Sequence, residues 1–311
     1  MRIRKKYIIL INSCSPKKAS HQDRQQACLD TWVRDQAQLA PDTVEIFLVH
    51  ADESRYFPAL VDGRLWVPAK EDYQLMHFKL QHAFRWVLDN YDFDFLFKCD
   101  DDTYIFMDRL VKMLEENRDA DFLGADLGRY QITPGAASGG SGYAMSPKAV
   151  KIIADYDCPV DCREDAEFSF ELQRHGIPLR HIDYLEPGFS HKQYYYSDWI
   201  HNPNMITLHY SKPGDMYLID YLKKTGQLDP TKRIAAFGSH PHWNRPIFFL
   251  TNGVFYRNKG QTEGSWRLQG NKLSLNWTTW GLETLEYDSD TLKATGPNGY
   301  VIYFEGPLPQ R

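Results

Sequence analysis

Phe93-Asp-Phe-Leu-Phe-Lys-Cys-Asp-Asp-Asp-Thr-Tyr104 is the most informative stretch of this 311-residue chain. The run Phe93–Phe97 reads as a strand, and it delivers three consecutive carboxylates, Asp100, Asp101 and Asp102. Adjacent like charges repel, so they need either water or a compensating cation. A solvated turn satisfies them, since Asp-rich loop starts are common. In open α/β sheets, however, ligands bind at the carboxyl ends of strands, and a divalent cation with oxygen ligands would neutralise the cluster. In extended chain, alternate side chains share a side, so Asp100 and Asp102 can point together. A metal bound there could bridge the phosphates of a nucleotide.

The flanking sequence supports an α/β sheet. Tyr7–Ile11 and Val44–Val49 are short apolar runs without alternation, as in strands buried on both faces. The segment carrying Arg24, Ala27, Leu29, Thr31 and Trp32 reads as a helix. Met76, Leu80, Ala83 and Val87 recur at helical spacing between Asp72 and Asn90. Asp108–Asn117 is again helical. Ser146-Pro147 is a helix start, with a capping hydroxyl and a first-turn proline. Glu164–His175 forms a helix closed by Gly176. Alternating strands and helices to about residue 185 predict a mixed sheet flanked by helices.

The pattern changes near residue 240. Trp266–Gln269 and Lys272–Trp277 alternate apolar and polar residues around Gly270-Asn271, a hairpin signature. A second pair of runs flanks Pro297-Asn-Gly299. The expectation is an α/β domain over 1–240 and a small antiparallel β module over 241–311, joined near Pro241–Pro246. Trp266, Trp277 and Trp280 could present a sugar-stacking platform or fill the core of that module; the alternation favours core, because at least one must point inward.

Composition narrows the function classes. Apolar residues are 42 % and charged residues 25 %, an ordinary globular balance that excludes wholesale disorder. The net charge of −5 gives no basic field for a nucleic acid polymer. The apolar run at Tyr7–Ile11 is too short for a signal core or a membrane span. The expected location is therefore the cytoplasm. Arg2, Arg4, Lys5 and Lys6 either touch anionic lipid at the inner membrane face or form a solvated terminus. Five scattered cysteines argue against a disulfide framework. Cys158 and Cys162 lie four apart, with no second Cys or His pair in sequence to complete a zinc site.

Further polar groups accompany the aspartates. Ser138-Gly-Gly-Ser-Gly-Tyr143 lets backbone approach a ligand closely. Glu164 and Asp165 stand at a helix N-terminus, where carboxylates are stabilised, either as caps or as catalytic groups. His209 lies in the strand-like run Ile206–Tyr210, where a histidine is commonly a satisfied core residue. Arg24 and Lys79 are isolated cations on amphipathic segments, whose plain reading is a solvated face.

In order and spacing these segments resemble the fringe-like β1,3-glycosyltransferases of GT-A (Rossmann-like) fold, most nearly the core-1 β1,3-galactosyltransferase branch. The matching pieces are Arg24–Trp32, Lys79–Val87, Phe95–Ile105, Ser138–Ser146, Glu164-Asp165, Ile206–Tyr210 and Met216–Leu222, within about residues 5–225. The resemblance implies inverting transfer of a hexose or N-acetylhexosamine from a UDP-sugar to a glycan or lipid-linked glycan hydroxyl, with a β1,3 linkage. With neither a signal core nor a spanning helix read from the sequence, the expected setting is bacterial surface glycan synthesis. The resemblance also implies a metal site for Mn²⁺ or Mg²⁺ at Asp100, Asp102 and His209, and Asp165 as catalytic base. Gly139, Gly140 and Gly142 would flank the donor, with Glu164 and Asp101 beside it and Arg24 and Lys79 near the nucleotide. His191, in Gly188–His191, matches a fringe-branch metal position and is the second choice to His209 or a donor contact. The chain departs from the family in Ala166-Glu-Phe168 after the acidic pair, and in showing neither its anchor nor its disulfides. A metal-independent glycoside hydrolase and a non-catalytic glycan-binding protein are the rival readings.

Overall fold

The computed structural model describes residues 2–14, 19–160, 162–187, 200–240, 243–257, 262–297 and 299–310. They fall into two compact units, one within 1–190 plus 204–211, the other within 191–203 plus 212–311.

The first unit is built on a mixed eight-stranded sheet. Its strand order is Arg180–His181, Phe122–Gly124, Tyr143–Met145, Phe95–Asp100, Tyr7–Asn12, Val44–Ala51, Arg64–Val67 and Ala59–Val61. The strands from Phe95 to Val67 in that order run parallel, and Tyr143–Met145 is antiparallel to both of its neighbours. Every residue of Tyr7–Asn12 is buried. Ile8 and Leu10 join a cluster with Leu80, Phe84 and Val150. By the pleat, Tyr7, Ile9 and Ile11 face the opposite side. That is the two-sided burial expected of a run without alternation.

Three helices contribute to that cluster: α2 (Met76–Asn90), α4 (Pro147–Asp155) and α5 (Glu164–Arg174). Ser146 caps α4 through its hydroxyl on the Ala149 amide, and Pro147 opens it. Helix α1 (Ala19–Cys28) passes into a π-turn at Leu29–Val33, so the expected helix around Trp32 is helical but irregular. Helix α3 covers Met107–Glu116 and buries Met107, Leu110, Met113 and Leu114. A three-stranded sheet joins Leu185–Glu186, Thr207–Leu208 and Tyr104–Ile105. The strand expected over Ile206–Tyr210 is thus only two residues long and ends just before His209.

The topology puts the aspartates at a switch point. Tyr7–Asn12 has its sequence successor, Val44–Ala51, on one side and Phe95–Asp100 on the other. Its carboxyl end therefore borders the crevice where ligands bind in such sheets. Asn12 pairs in register with Asp100 at that end.

The second unit contains α6 (Pro213–Lys224) and a closed barrel of eight antiparallel strands from Arg233 to Phe304. The β module expected from the alternating tryptophan runs is present, and it closes because Arg233–His240 pairs with Val301–Phe304. Its first strand begins at Arg233, ahead of the boundary expected at 241. Pro246 lies within the second strand, Trp243–Leu250, rather than in a junction, and that strand pairs with the first in a hairpin. Trp266 and Trp277 are buried among Phe249, Phe255, Leu273 and Leu275, while Trp280 is half exposed. The core reading therefore holds for two of the three tryptophans.

Candidate functional site

The turn after Phe95–Asp100 sends its carboxylates in different directions. Asp100, Asp102 and His209 offer ligand atoms that all lie within 4.8 Å of one another. His209 Nε2 is 3.3 Å from Asp102 Oδ1, and its Nδ1 lies 3.2 Å from the Pro187 carbonyl oxygen. A proton on Nδ1 donated to that carbonyl leaves the Nε2 lone pair toward the aspartates, the arrangement usual for a metal-ligating imidazole. Burial pushes the His209 imidazole down, but the Asp102 and Asp100 carboxylates outweigh it and its pKa is raised.

Asp101 turns away from this group. Its carboxylate accepts a hydrogen bond from Ser13 Oγ at 2.6 Å and pairs with His21 and Arg24, both at 3.5 Å. Burial raises its pKa, and these partners only partly offset that. Arg24 also reaches Asp102 at 3.5 Å, so it braces the aspartate turn. Lys79 is buried, with its ammonium on the Ser13 carbonyl at 2.8 Å and on Glu71 at 3.0 Å. It supports the Ser13 backbone and takes no part in the group around His209.

The glycine loop packs directly on the cluster. A Cβ on Gly140 would fall inside the His209 ring. Its carbonyl accepts from Thr103 Oγ1 at 2.8 Å. Gly142 has φ +103°, and a Cβ there would strike Phe97. Gly139 donates its amide to Asp165 Oδ2 at 3.3 Å.

The acidic pair at the start of α5 divides by environment. Glu164 is buried between Tyr143, whose hydroxyl donates to Oε1, and the Lys98 ammonium at 3.4 Å from Oε2. Burial raises its pKa, with Lys98 offsetting part of the effect. Asp165 keeps 19 % of its side chain exposed and lies near Arg163 at 3.5 Å. Lys98 is fully buried, 3.0 Å from Asp100 and 3.1 Å from the Gly139 carbonyl oxygen. It ties the aspartate turn, the glycine loop and α5 into one network. For Asp100, burial acts against the carboxylate, but Lys98 and His209 outweigh it and the pKa is lowered.

A cleft of about 360 Å³ opens on these groups, lined by Asp100, His209, Ser138–Gly140, Arg163, Glu164 and Asp165, with Met76, Cys162 and Tyr210. Of the expected residues, Asp100, Gly139, Gly140, Glu164, Asp165 and His209 thus meet at one cleft, and Asp102 joins through His209. His191 lies outside the described residues. Sequence reading missed Lys98, Tyr143 and Asn12, whose amide donates to Asp100 Oδ1 at 3.2 Å. The available signal was positional: Lys98 precedes Asp100 by two on the same strand and so shares its side. A broader depression between Arg85, Lys148 and His175 has no comparable meeting of ligands.

Residues 24–129, about a third of the chain, match the family model described as galactosyltransferase. Over that segment the chain is similar to the galactosyltransferase family. The matched segment holds Arg24, Lys79 and the three aspartates, whereas Asp165 and His209 lie beyond it. Among solved structures, the chain is similar to the apo-form glycosyltransferase GlyE of Streptococcus pneumoniae, at 12 % identity over 73 % of this chain and 65 % of that one, with a TM-score of 0.37. It is also similar to a glycosyltransferase involved in glycosylation of the major capsid of PBCV-1, at 12 % identity over 70 % of this chain and 99 % of that one, with a TM-score of 0.39. At these scores neither likeness bears on what the chain does. Among the described residues, no helix is long and apolar enough to cross a membrane.

Proposed function

We propose that this enzyme transfers a hexose or N-acetylhexosamine from a UDP-sugar to a hydroxyl of a glycan or lipid-linked glycan, with inversion and a β1,3 linkage. Its setting would be the assembly of a bacterial surface glycan. The observation that carries the reading is the meeting of Asp100, Asp102 and His209 at a cleft that Asp165 also lines.

Two carboxylates and one imidazole form a donor set suited to Mn²⁺ or Mg²⁺, and the Pro187 carbonyl holds His209 with Nε2 toward them. In the proposal these three side chains hold the cation. When bound, the cation offsets the charge growing on the departing UDP. Asp165 accepts the proton of the acceptor hydroxyl as that oxygen attacks the anomeric carbon from the opposite face. The Gly139 amide aims one Asp165 oxygen, and the Ala166 amide holds the other at 2.8 Å. Glu164, held by Tyr143 and Lys98, fixes the start of α5 so that its neighbour faces the cleft. Glycine at 139 and 140 lets the loop backbone pack directly on Asp165 and on the His209 ring, where a side chain would not fit.

A panel of UDP-sugars, scored for UDP release with Mn²⁺ and glycan acceptors, tests the reading. Release that needs metal and rises with acceptor is expected. Chelator-insensitive glycan hydrolysis would favour a glycoside hydrolase, and glycan binding without UDP release a lectin-like protein.

A further inference from the structure

The fold brings His77 to the two cysteines that had no partner in sequence. His77 lies in the first turn of α2, while Cys158 and Cys162 flank the turn between α4 and α5. Cys162 Sγ is 3.6 Å from His77 Nδ1 and 3.2 Å from Cys158 Sγ, and the three ligand atoms all lie within 4.8 Å of one another. We propose that His77, Cys158 and Cys162 form a second metal site, for Zn²⁺, distinct from the aspartate–His209 group.

His77 is completely buried, and the nitrogen it turns to Cys162 is Nδ1, so Nδ1 is the ligand atom and the proton stays on Nε2. The two sulfurs are too far apart for a covalent bond, whose length is about 2.0 Å, and both thiols are free.

The spacing suits a tetrahedral ion. Zinc bonds of about 2.3 Å to sulfur and about 2.0 Å to nitrogen give an S–N edge of about 3.5 Å and an S–S edge of about 3.8 Å. The Cys162–His77 separation already matches, and the two sulfurs need to part by roughly 0.6 Å. Thiolate and imidazole donors select zinc over Mn²⁺ or Mg²⁺, which prefer oxygen. Three protein ligands leave a fourth position for water. The ion would join α2 to the chain entering α5, two residues before Glu164. Cys162 itself borders the cleft. The metal would therefore brace the segment that presents Glu164 and Asp165, whatever sugar the enzyme handles.

Cobalt substitution in the full chain tests the site. Co²⁺ added to reduced, chelator-treated protein should give tetrahedral bands and a thiolate-to-cobalt charge-transfer band that saturates at one equivalent. Zn²⁺, but not excess Mn²⁺, should abolish them. Cys162→Ser and Cys158→Ser should lose the charge-transfer band, whereas Asp102→Ala should keep it. Cys162 is only half-buried, so its serine variant keeps the test usable if the Cys158 variant misfolds. Absence of the band in the wild-type protein, or its survival in Cys162→Ser, overturns the site. Thiol titration of the unreduced, denatured protein should find all five cysteines. Finding three would assign Cys158 and Cys162 to a disulfide and overturn the proposal as well.

Discussion

Asp165 and Glu164 are adjacent residues with different surroundings, and their substitutions should separate accordingly. Asp165→Asn keeps the shape and one of the two backbone amide contacts but removes the proposed base, so turnover should fall by ~10²–10⁴ while metal-dependent UDP binding persists. Near wild-type turnover in that variant would sink the base assignment. Lys98 is the other decisive residue, because it is fully buried between Asp100 and Glu164. Lys98→Met leaves those carboxylates without their cation and should cost about 3–5 kcal/mol of stability, as when one partner of a buried pair is removed. Urea unfolding measures this, and a change below about 1 kcal/mol would show that the network is not structural. His209 sets a pH dependence. Its raised pKa means that, in metal-free enzyme, a proton competes for Nε2 above the ordinary histidine value of about 6.5. Metal affinity should therefore fall as pH drops through that raised value, and binding should release a proton. Mn²⁺ calorimetry in two buffers of different ionisation enthalpy reads the release, and pH-independent affinity would remove His209 from the ligand set.

At the scale of elements, the glycine loop and the two-residue strand at Thr207–Leu208 are mutually dependent, since the Gly140 backbone occupies the space beside the His209 ring. Gly140→Ala should push the imidazole off the aspartates and weaken Mn²⁺-dependent UDP binding at least tenfold, with the thermal midpoint nearly unchanged. A midpoint that collapses with the affinity would show that the substitution acts on the fold instead. The elements carrying the site were legible to different degrees. Tyr7–Asn12 and Phe95–Asp100 announced themselves as apolar runs, and Ser146-Pro147 and Glu164-Asp165 marked helix starts through capping and dipole chemistry. Alternation gave the shared side of Asp100 and Asp102, but not the partners Asp101 finds on the other side, because Ser13, His21 and Arg24 come from other segments. Lys98 shares its strand with one of its carboxylates, Asp100, but the other, Glu164, arrives only with α5, so the buried network was not evident from the strand alone.

For the whole molecule, local pattern gave the class of each part but not its closure or its long-range meetings. The alternation in Trp266–Trp277 fixes which side chains face inward, yet it does not say that the first and last barrel strands meet. His77 and Cys162 are likewise joined only by the sheet that carries α2 and α5. The same limit applies to the basic N-terminus, which in sequence was equally a lipid-binding patch or a solvated end. In the fold each cation has an acidic partner: Arg2 with Asp92 at 3.5 Å, Arg4 with Asp94, Lys5 with Glu45 at 2.8 Å, and Lys6 with Glu115 at 2.9 Å. These exposed pairs add little stability, but they set four carboxylates among four cations and cancel the local positive field. The chain as a whole carries −5, so anionic lipid gains nothing at long range from this surface. Sedimentation with anionic vesicles at physiological ionic strength should therefore recover the protein in the supernatant. The variant Asp92→Asn/Asp94→Asn, which unmasks two of the cations, should bind measurably more. Strong, salt-sensitive binding by the wild-type protein would show that the pairs open at a membrane and that the basic end is a docking element after all.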